Sequence, residues 1–261
     1  MAHSVLSRPA MNIGIYKSAS ALVALDRWQE TISQNIASAS VPGFRKTQPA
    51  FECRAADLER FGADARSVRE ARGVMPAPIS QISLQPGEIR ATGNETDFAI
   101  QGRGFFGVQI DHGLTGYTRN GEFHVNSERV LVNKQGLPVL GDGGPITLRP
   151  EGGRISIASD GTLVQGDTAI GKLPLYDFQD AAKLRRIGDG LLGLEDANVR
   201  PQVVDKPEIV GGLLETSNVQ PLQEMVNMIT VARAYEANQR VVMGHNELLE
   251  KAIQSLGTLS A

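Results

Sequence analysis

The chain is poor in the residues that usually carry chemistry. It has one cysteine, Cys53, one tryptophan and four tyrosines in 261 residues. A single thiol forms neither an internal disulfide nor a cysteine metal cluster. Its neighbours Glu52 and Arg54 make no activating set, so Cys53 reads as a small hydrophobe. There is no basic excess: 26 Lys and Arg stand against 29 Asp and Glu. That argues against a polyanion-binding protein, which needs cations to displace counterions. No run of about 18 apolar residues exists, so no segment reads as a membrane-spanning helix. The stretch from Met1 to Ala10 has no apolar run of the kind a cleaved secretory signal carries, and Met11 is an alternative start.

Recognisable catalytic patterns are also missing. His3, His112, His124 and His245 stand at no metal-ligand spacing. Asp111-His112 has no nucleophile elbow to serve. Glu195-Asp196 reads as solvated loop charge. Gly102-Arg-Gly104-Phe-Phe-Gly107 matches the glycine spacing of a dinucleotide loop, but Val-Gln-Ile follows, which is a strand pattern rather than a helix. No catalytic residue, cofactor or metal is expected.

What is present is pattern. Apolar residues make up 41% of the chain and charged residues 21%, enough to build a core. Glycine is plentiful at 28, which suits many tight turns. From Asn12, a candidate cap, Ile15, Ser18, Leu22, Leu25, Gln29, Ile32, Ile36 and Ala39 recur in a three-four alternation. Val41-Pro42-Gly43 should end that helix. From Pro221 to Leu256 the same alternation runs through Met225, Met228, Ala232, Tyr235, Gln239, Val242, Asn246, Leu249 and Ile253, with Gly257 as the stop. Between them lie short alternating runs such as Gly104–Ile110, Glu122–Val125 and Ile155–Ile157. Turn signals punctuate these runs at Asn120-Gly121, Asp142-Gly-Gly144 and Asp160-Gly161. Met75-Pro-Ala-Pro78 reads as an extended linker, and part of 55–71 as a candidate helix.

The expected fold class is α+β. Long N- and C-terminal helices pair as a coiled-coil-like core, with an irregular β-rich domain in the middle. The expected divisions are an N-terminal extension (1–11), an N-terminal helix and linker (12–80), a β-rich outer domain (81–205) and a C-terminal helix (206–261). Such helices either close on each other within one chain or bury their seams against neighbouring subunits. Polar Gln239 and Asn246 on the second seam would set register and partner number.

Specific strings sharpen the choice. Ile32-Ser-Gln-Asn-Ile-Ala-Ser-Ala-Ser-Val-Pro-Gly-Phe-Arg-Lys46 resembles the N-terminal signature of the flagellar rod and hook axial proteins. Asn35, Pro42, Gly43 and Phe44 match it, while Gln34 and Ser38 replace two usual asparagines. Thr92–Val108, containing Gly102, Gly104, Phe105 and Phe106, is similar to the central block of that family. Tyr117–Phe123 is similar to its Y-T-R-x-G-x-F block. Gly212–Val219, with Ser217 and Asn218, then Glu224–Ile229 and Ala234–Asn238, resemble its C-terminal block.

The resemblance implies a structural subunit of the bacterial flagellar basal-body rod that polymerises through its terminal helices into a hollow axial shaft. Its partners would be itself, other rod and hook axial proteins and the flagellar type III export apparatus, with no nucleic acid and no membrane insertion. It would sit in the periplasm-spanning rod, exported without a cleaved signal. Its strings look closest to the proximal-rod member, with a distal-rod or hook-type protein as the alternative. On this reading Leu22, Leu25, Ile32 and Ile36 pack against Met228, Tyr235, Val242 and Leu249 within and between subunits, and Pro42-Gly43-Phe44 redirects the chain. A monomeric β-domain enzyme and a secreted binding module are the competing classes, and neither accounts for the seams and the strings together.

Overall fold

A computed structural model describes residues 10–55, 74–110, 113–150, 152–178, 183–188, 190–194 and 199–258. Most of the expected 1–11 extension, the candidate helix at 55–71 and His112 lie outside these residues. The Leu249 side chain is also outside them.

Helix α1 spans Ala10–Ala37. It starts two residues ahead of Asn12, so that residue lies inside the first turn rather than capping it. Strands β1 (Thr47–Ala55) and β2 (Val74–Ile82) follow and pair with each other. The Met75–Pro78 stretch is therefore a strand, not a free linker. Its prolines are tolerated because a two-stranded sheet leaves an outer edge on each strand where no amide is needed.

Next come β3 (Ile89–Ala91), β4 (Phe98–Ile100), β5 (Phe105–Gln109), β6 (Thr115–Thr118), β7 (Phe123–Val125) and β8 (Leu131–Asn133). Strands β9 (Leu140–Gly141) and β10 (Gly144–Pro145) form a hairpin whose loop is Asp142-Gly143. Strands β11 (Ile155–Ile157), β12 (Thr162–Gln165) and β13 (Thr168–Lys172) make a three-stranded sheet. Then follow β14 (Leu175–Asp177), β15 (Leu184–Gly188), β16 (Leu191–Leu194), β17 (Gln202–Val203), β18 (Ile209–Gly211) and β19 (Leu213–Glu215). Helix α2, Pro221–Thr258, completes the described chain.

The chain divides into two compact units. The first, the β body, takes in residues 35–48 and 81–221. The second holds the described residues of 10–34, 49–80 and 222–258. Within the body the largest sheet has the antiparallel order β15-β16-β6-β5-β14-β17. Successive residues of β5 point to opposite faces, as the strand period requires. Phe106 and Val108 enter one buried cluster with Phe98, Phe123, Leu163 and Leu175. Phe105 enters another with Tyr117, Phe178, Leu184 and Leu192. The rings meet edge-on, Phe106 on Phe123 at 5.3 Å and Tyr117 on Phe178 at 4.8 Å.

The expected coiled-coil-like core is not what the chain builds. Among the described residues there are two helices and a strand-rich body, and no seam of one helix against the other. The covered stripe of α2 runs through Glu224, Met228, Val231, Tyr235, Asn238, Val242 and His245. Only Glu224 and Val231 are fully buried there. Met225, Gln239 and Asn246 are exposed. The stripe is displaced by one residue at every second position, which turns those side chains by about 100° around the axis. In this register the amides of Gln239 and Asn246 reach solvent, while the covered Asn238 amide is satisfied by the Ala234 carbonyl at 3.0 Å.

Candidate functional site: a buried arginine–glutamate node

Where the chain leaves α1, Asn35 clamps it. The Asn35 Nδ2 donates to the Thr47 carbonyl at 2.8 Å, and the Thr47 amide donates to Oδ1 at 3.0 Å. The side chain thus acts as a short strand partner for Thr47. Gly43 then takes a positive φ of 65°. A Cβ there would lie 2.2 Å from the Arg119 carbonyl carbon, so only glycine fits this close approach. Phe44 is buried, and the Arg186 guanidinium lies 4.0 Å from its ring centroid. Arg186 also donates to the Arg45 carbonyl at 2.5 Å and to Thr47 Oγ1 at 3.1 Å. A bulge at Ile187 interrupts the β15–β16 ladder next to it.

The centre of the site is Glu215, buried to 2% exposure. Its Oε1 accepts from Arg45 at 2.8 Å and from the Gly87 amide at 2.8 Å. Its Oε2 accepts from Arg119 at 3.1 Å. Its backbone carbonyl accepts the Gly43 amide at 2.7 Å. Arg119 also donates to the carbonyls of Gly102 at 2.6 Å and Ile100 at 3.4 Å, and stands 5.4 Å from the Phe105 ring centroid. Arg45 donates to the Gln85 carbonyl. Asn218 completes the frame: its Oδ1 accepts the Lys46 amide at 2.6 Å, its Nδ2 donates to Gln85 at 2.8 Å, and its own amide donates to Phe44.

Two guanidinium groups therefore share one carboxylate in a nearly dry setting. Carbonyl dipoles and ring faces supply the remaining negative potential. Burial holds Arg45 below its ordinary value, opposed by the Glu215 charge. Burial also brings Arg119 down to about 10, again opposed by Glu215 and reinforced by Arg45. Burial alone brings Arg186 to about 10. All three stay protonated at neutral pH. The Nε atoms of Arg45 and Arg119 and one Nη of Arg186 are buried without a partner. With both carboxylate oxygens engaged, the arrangement is a clasp rather than an acid–base pair.

The other sequence-derived residues fall as follows. Ile32 is buried, while Leu22, Leu25, Ile36 and Pro42 are half-buried. Met228, Tyr235 and Val242 are half-buried on α2. Gly102 is exposed with φ 107°, and Gly104 is buried with φ 111° against Leu175. The strand β5 follows these glycines, and Gly107 leaves room for the Tyr176 ring. The glycine spacing thus serves strand packing. Ser217 Oγ accepts the Val219 amide at 3.2 Å. Among the described residues no cluster of His, Cys, Asp or Glu could hold a metal, and no helix is long and apolar enough to cross a membrane. Sequence reasoning gave no role to Arg45, Arg119, Arg186 or Glu215. Three of them stand inside the family strings, and that was the available signal.

Two separate segments of the chain match family profiles. Residues 99–165 match the profile described as the flagellar hook protein FlgE/F/G D1 domain. Residues 210–255 match the flagellar basal body rod FlgEFG protein C-terminal profile. The flagellar basal-body rod protein FlgF of Caulobacter vibrioides is 33% identical over 257 residues, covering 96% of this chain and 100% of that protein. The chain belongs to the flagellar basal-body rod protein family. FlgF of Mesorhizobium japonicum is 35% identical over 253 residues, with 96% and 100% coverage. FlgG of Buchnera aphidicola subsp. Acyrthosiphon pisum is 32% identical over 243 residues, with 85% and 92% coverage. The chain is a structural subunit of the rod, located at the basal body, in a family of structural proteins that assemble with other flagellar axial components. In this light the Arg119–Glu215 pair is a tie between the two family segments, one end in each.

Proposed function

We propose that the subunit polymerises by having the apolar faces of its terminal helices covered by neighbouring rod subunits, and that its place is the proximal rod. The observation that carries this is the start of α2. Leu222 is 77% exposed and Ile229 55%, with Met225 and Val226 beside them. These residues lie within two turns, so they form one contiguous patch. Further along, Val241, Met243 and Leu248 are also exposed. Each such side chain gains roughly 1.5–3 kcal/mol when fully buried. The half-buried Leu22 and Leu25 on α1, and Met228, Tyr235 and Val242 on the covered stripe of α2, add further apolar area, and exposed Gln239 and Asn246 set register against a neighbour. Pro42-Gly43-Phe44, held by the node, fixes where the chain leaves α1. Of the expected divisions 12–80, 81–205 and 206–261, residues 35–48 and 206–221 go with the body, and the assembly role falls to the rest of the two terminal segments. The proximal placement is supported by relatives named FlgF that align along their whole length, against shorter alignments to those named FlgG. On this reading the subunit travels through the flagellar type III export apparatus without a cleaved signal.

The test is Ile229→Asp in cells that otherwise lack the subunit. The exposed site predicts a monomer that unfolds within about 0.5 kcal/mol of the parent. Basal bodies should nonetheless lack the subunit, and motility should be lost. Basal bodies containing the variant at parental levels would refute the assembly role of this face.

A further inference from the structure

We infer that residues 208–219 are the closing element of the β body, and that the body's main apolar cluster and its ion node do not close until this segment arrives. Most of the body's sheet contacts are local. Strands β7 and β8, β9 and β10, and β11 to β13 each pair with a chain neighbour. Within the largest sheet β5 pairs with β14 and β6 with β16 across distant parts of the chain, but the ladders that reach furthest along the sequence fall in one stretch. Ile209–Gly211 pairs with Phe98–Ile100, and Leu213–Glu215 pairs with Ile89–Ala91. Around these ladders the same stretch serves many more amides and carbonyls. The Gln101 amide donates to the Glu208 carbonyl, and the Thr92 and Gly93 amides donate to the Gly212 carbonyl. The Gly212 amide donates to the Asp97 carbonyl, the Thr216 amide to the Glu88 carbonyl, and the Ile209 amide to the Ser159 carbonyl. The Gly43 and Gly87 amides end on Glu215 itself.

Without this stretch the rest of the body lacks more than hydrogen bonds. Ile209 is 1% exposed in the main cluster beside Phe98 and Ile100, and its removal opens that cluster to water. Glu215 is the carboxylate that both Arg45 and Arg119 meet. Before it arrives, closing the node would bury two guanidinium groups with no counter-charge, a penalty no partly folded body offsets. The partners are far apart in sequence, 128 residues between Gly87 and Glu215, so the loop must close before any of these contacts forms. The largest sheet and the cluster around Tyr117 need nothing from this stretch, whereas the main cluster stays open at Phe98 and Ile100 until the clasp forms. A chain still leaving the ribosome keeps its main cluster open until about Val219. If the subunit travels unfolded, which rests on the rod reading above, this delay keeps it fit for export.

The experiment is pulsed hydrogen exchange during refolding of the full, unaltered chain, read by mass spectrometry on peptides covering 98–100 and 209–215. Protection should rise in both regions in one phase. Glu215→Gln should slow that phase roughly tenfold, since it weakens a contact needed at closure. Protection of 98–100 in an earlier phase, while 209–215 still exchanges, overturns the inference. The unaltered chain decides between these outcomes even if the variant does not fold. Refolding order and incorporation into basal bodies are read separately, so this inference and the rod reading can fail independently.

Discussion

The β body and α2 handle apolar side chains in opposite ways. The body sinks Phe98, Val108, Leu131, Leu163 and Leu175 to complete burial and clasps its chain ends with a buried ion node. The helix leaves Leu222, Met225, Val226, Ile229, Val241, Met243 and Leu248 half or more in water. Both regions are rich in aliphatic residues, so composition does not separate them. The separation lies in what each can close upon. A sheet with residues alternating across two faces finds its core within one chain. A helix with apolar residues on several sides needs more neighbours than one chain provides. The body closes its core within one chain, and on the function proposed above α2 is covered by assembly.

That contrast can be broken at the node first. Glu215→Ala removes the anion shared by two buried cations and should cost the body about 3–5 kcal/mol in urea unfolding at unchanged slope. A loss below about 1 kcal/mol would make the node ornamental. Next, Gly43→Ala forces a Cβ into the Arg119 backbone at a positive φ and should cost about 2–3 kcal/mol. Gly136→Ala, also at positive φ but facing open space, should cost only about 1 kcal/mol. Equal losses would show that the close approach at Gly43 is unimportant.

A smaller effect runs in the other direction. Asn126 and Asn133 build the same loop: each Oδ1 accepts the amides two and four residues on. The fourth residue of the second loop is Gly136, and that of the first is Arg129, a non-glycine at φ 63°. Arg129→Gly should therefore raise the thermal midpoint, by up to about 1 kcal/mol of relieved strain. A lowered midpoint would show that the side chain compensates for its backbone.

The smallest effect concerns acid. The Arg154 guanidinium and the Ile155 amide hold the Glu95 carboxyl below its ordinary range. A depressed carboxyl stabilises the fold above its unfolded pKa and loses that contribution as pH falls through the folded value. The Ile155 amide resonance should titrate with a midpoint below that of free glutamate, and Glu95→Gln should abolish the titration. A midpoint at or above the free value would contradict the pairing.

Much of this was legible in the sequence, for identifiable reasons. The two terminal helices carry long uninterrupted periodicity. The Asp142-Gly143 hairpin follows from turn chemistry alone. The glycine spacing at 102–107 was separable from a phosphate loop because Val108-Gln109 is a strand pattern. The register of α2 was not legible. Positions 225, 232, 239, 246 and positions 224, 231, 238, 245 each complete a three-four alternation with 228, 235 and 242, and apolar residues stand in both. Choosing correctly required burying Glu224, a carboxylate, in preference to Met225, against the usual ranking. The node was hidden for a different reason. Nothing local in Phe44-Arg45 says that its counter-charge is Glu215, because charge pairing across a long loop leaves no periodic trace. The paired β1 and β2 were missed because prolines in both resemble a linker.

The contrast between body and helix is tested most directly by hydrogen exchange along the chain in dilute monomer and again in isolated basal bodies. Residues 98–133 should be equally protected in both states. Residues 222–248 should exchange fast in the monomer and slowly in the rod. If 222–248 are already as protected in the monomer as the body is, α2 is complete within one chain and assembly does not depend on its exposed face.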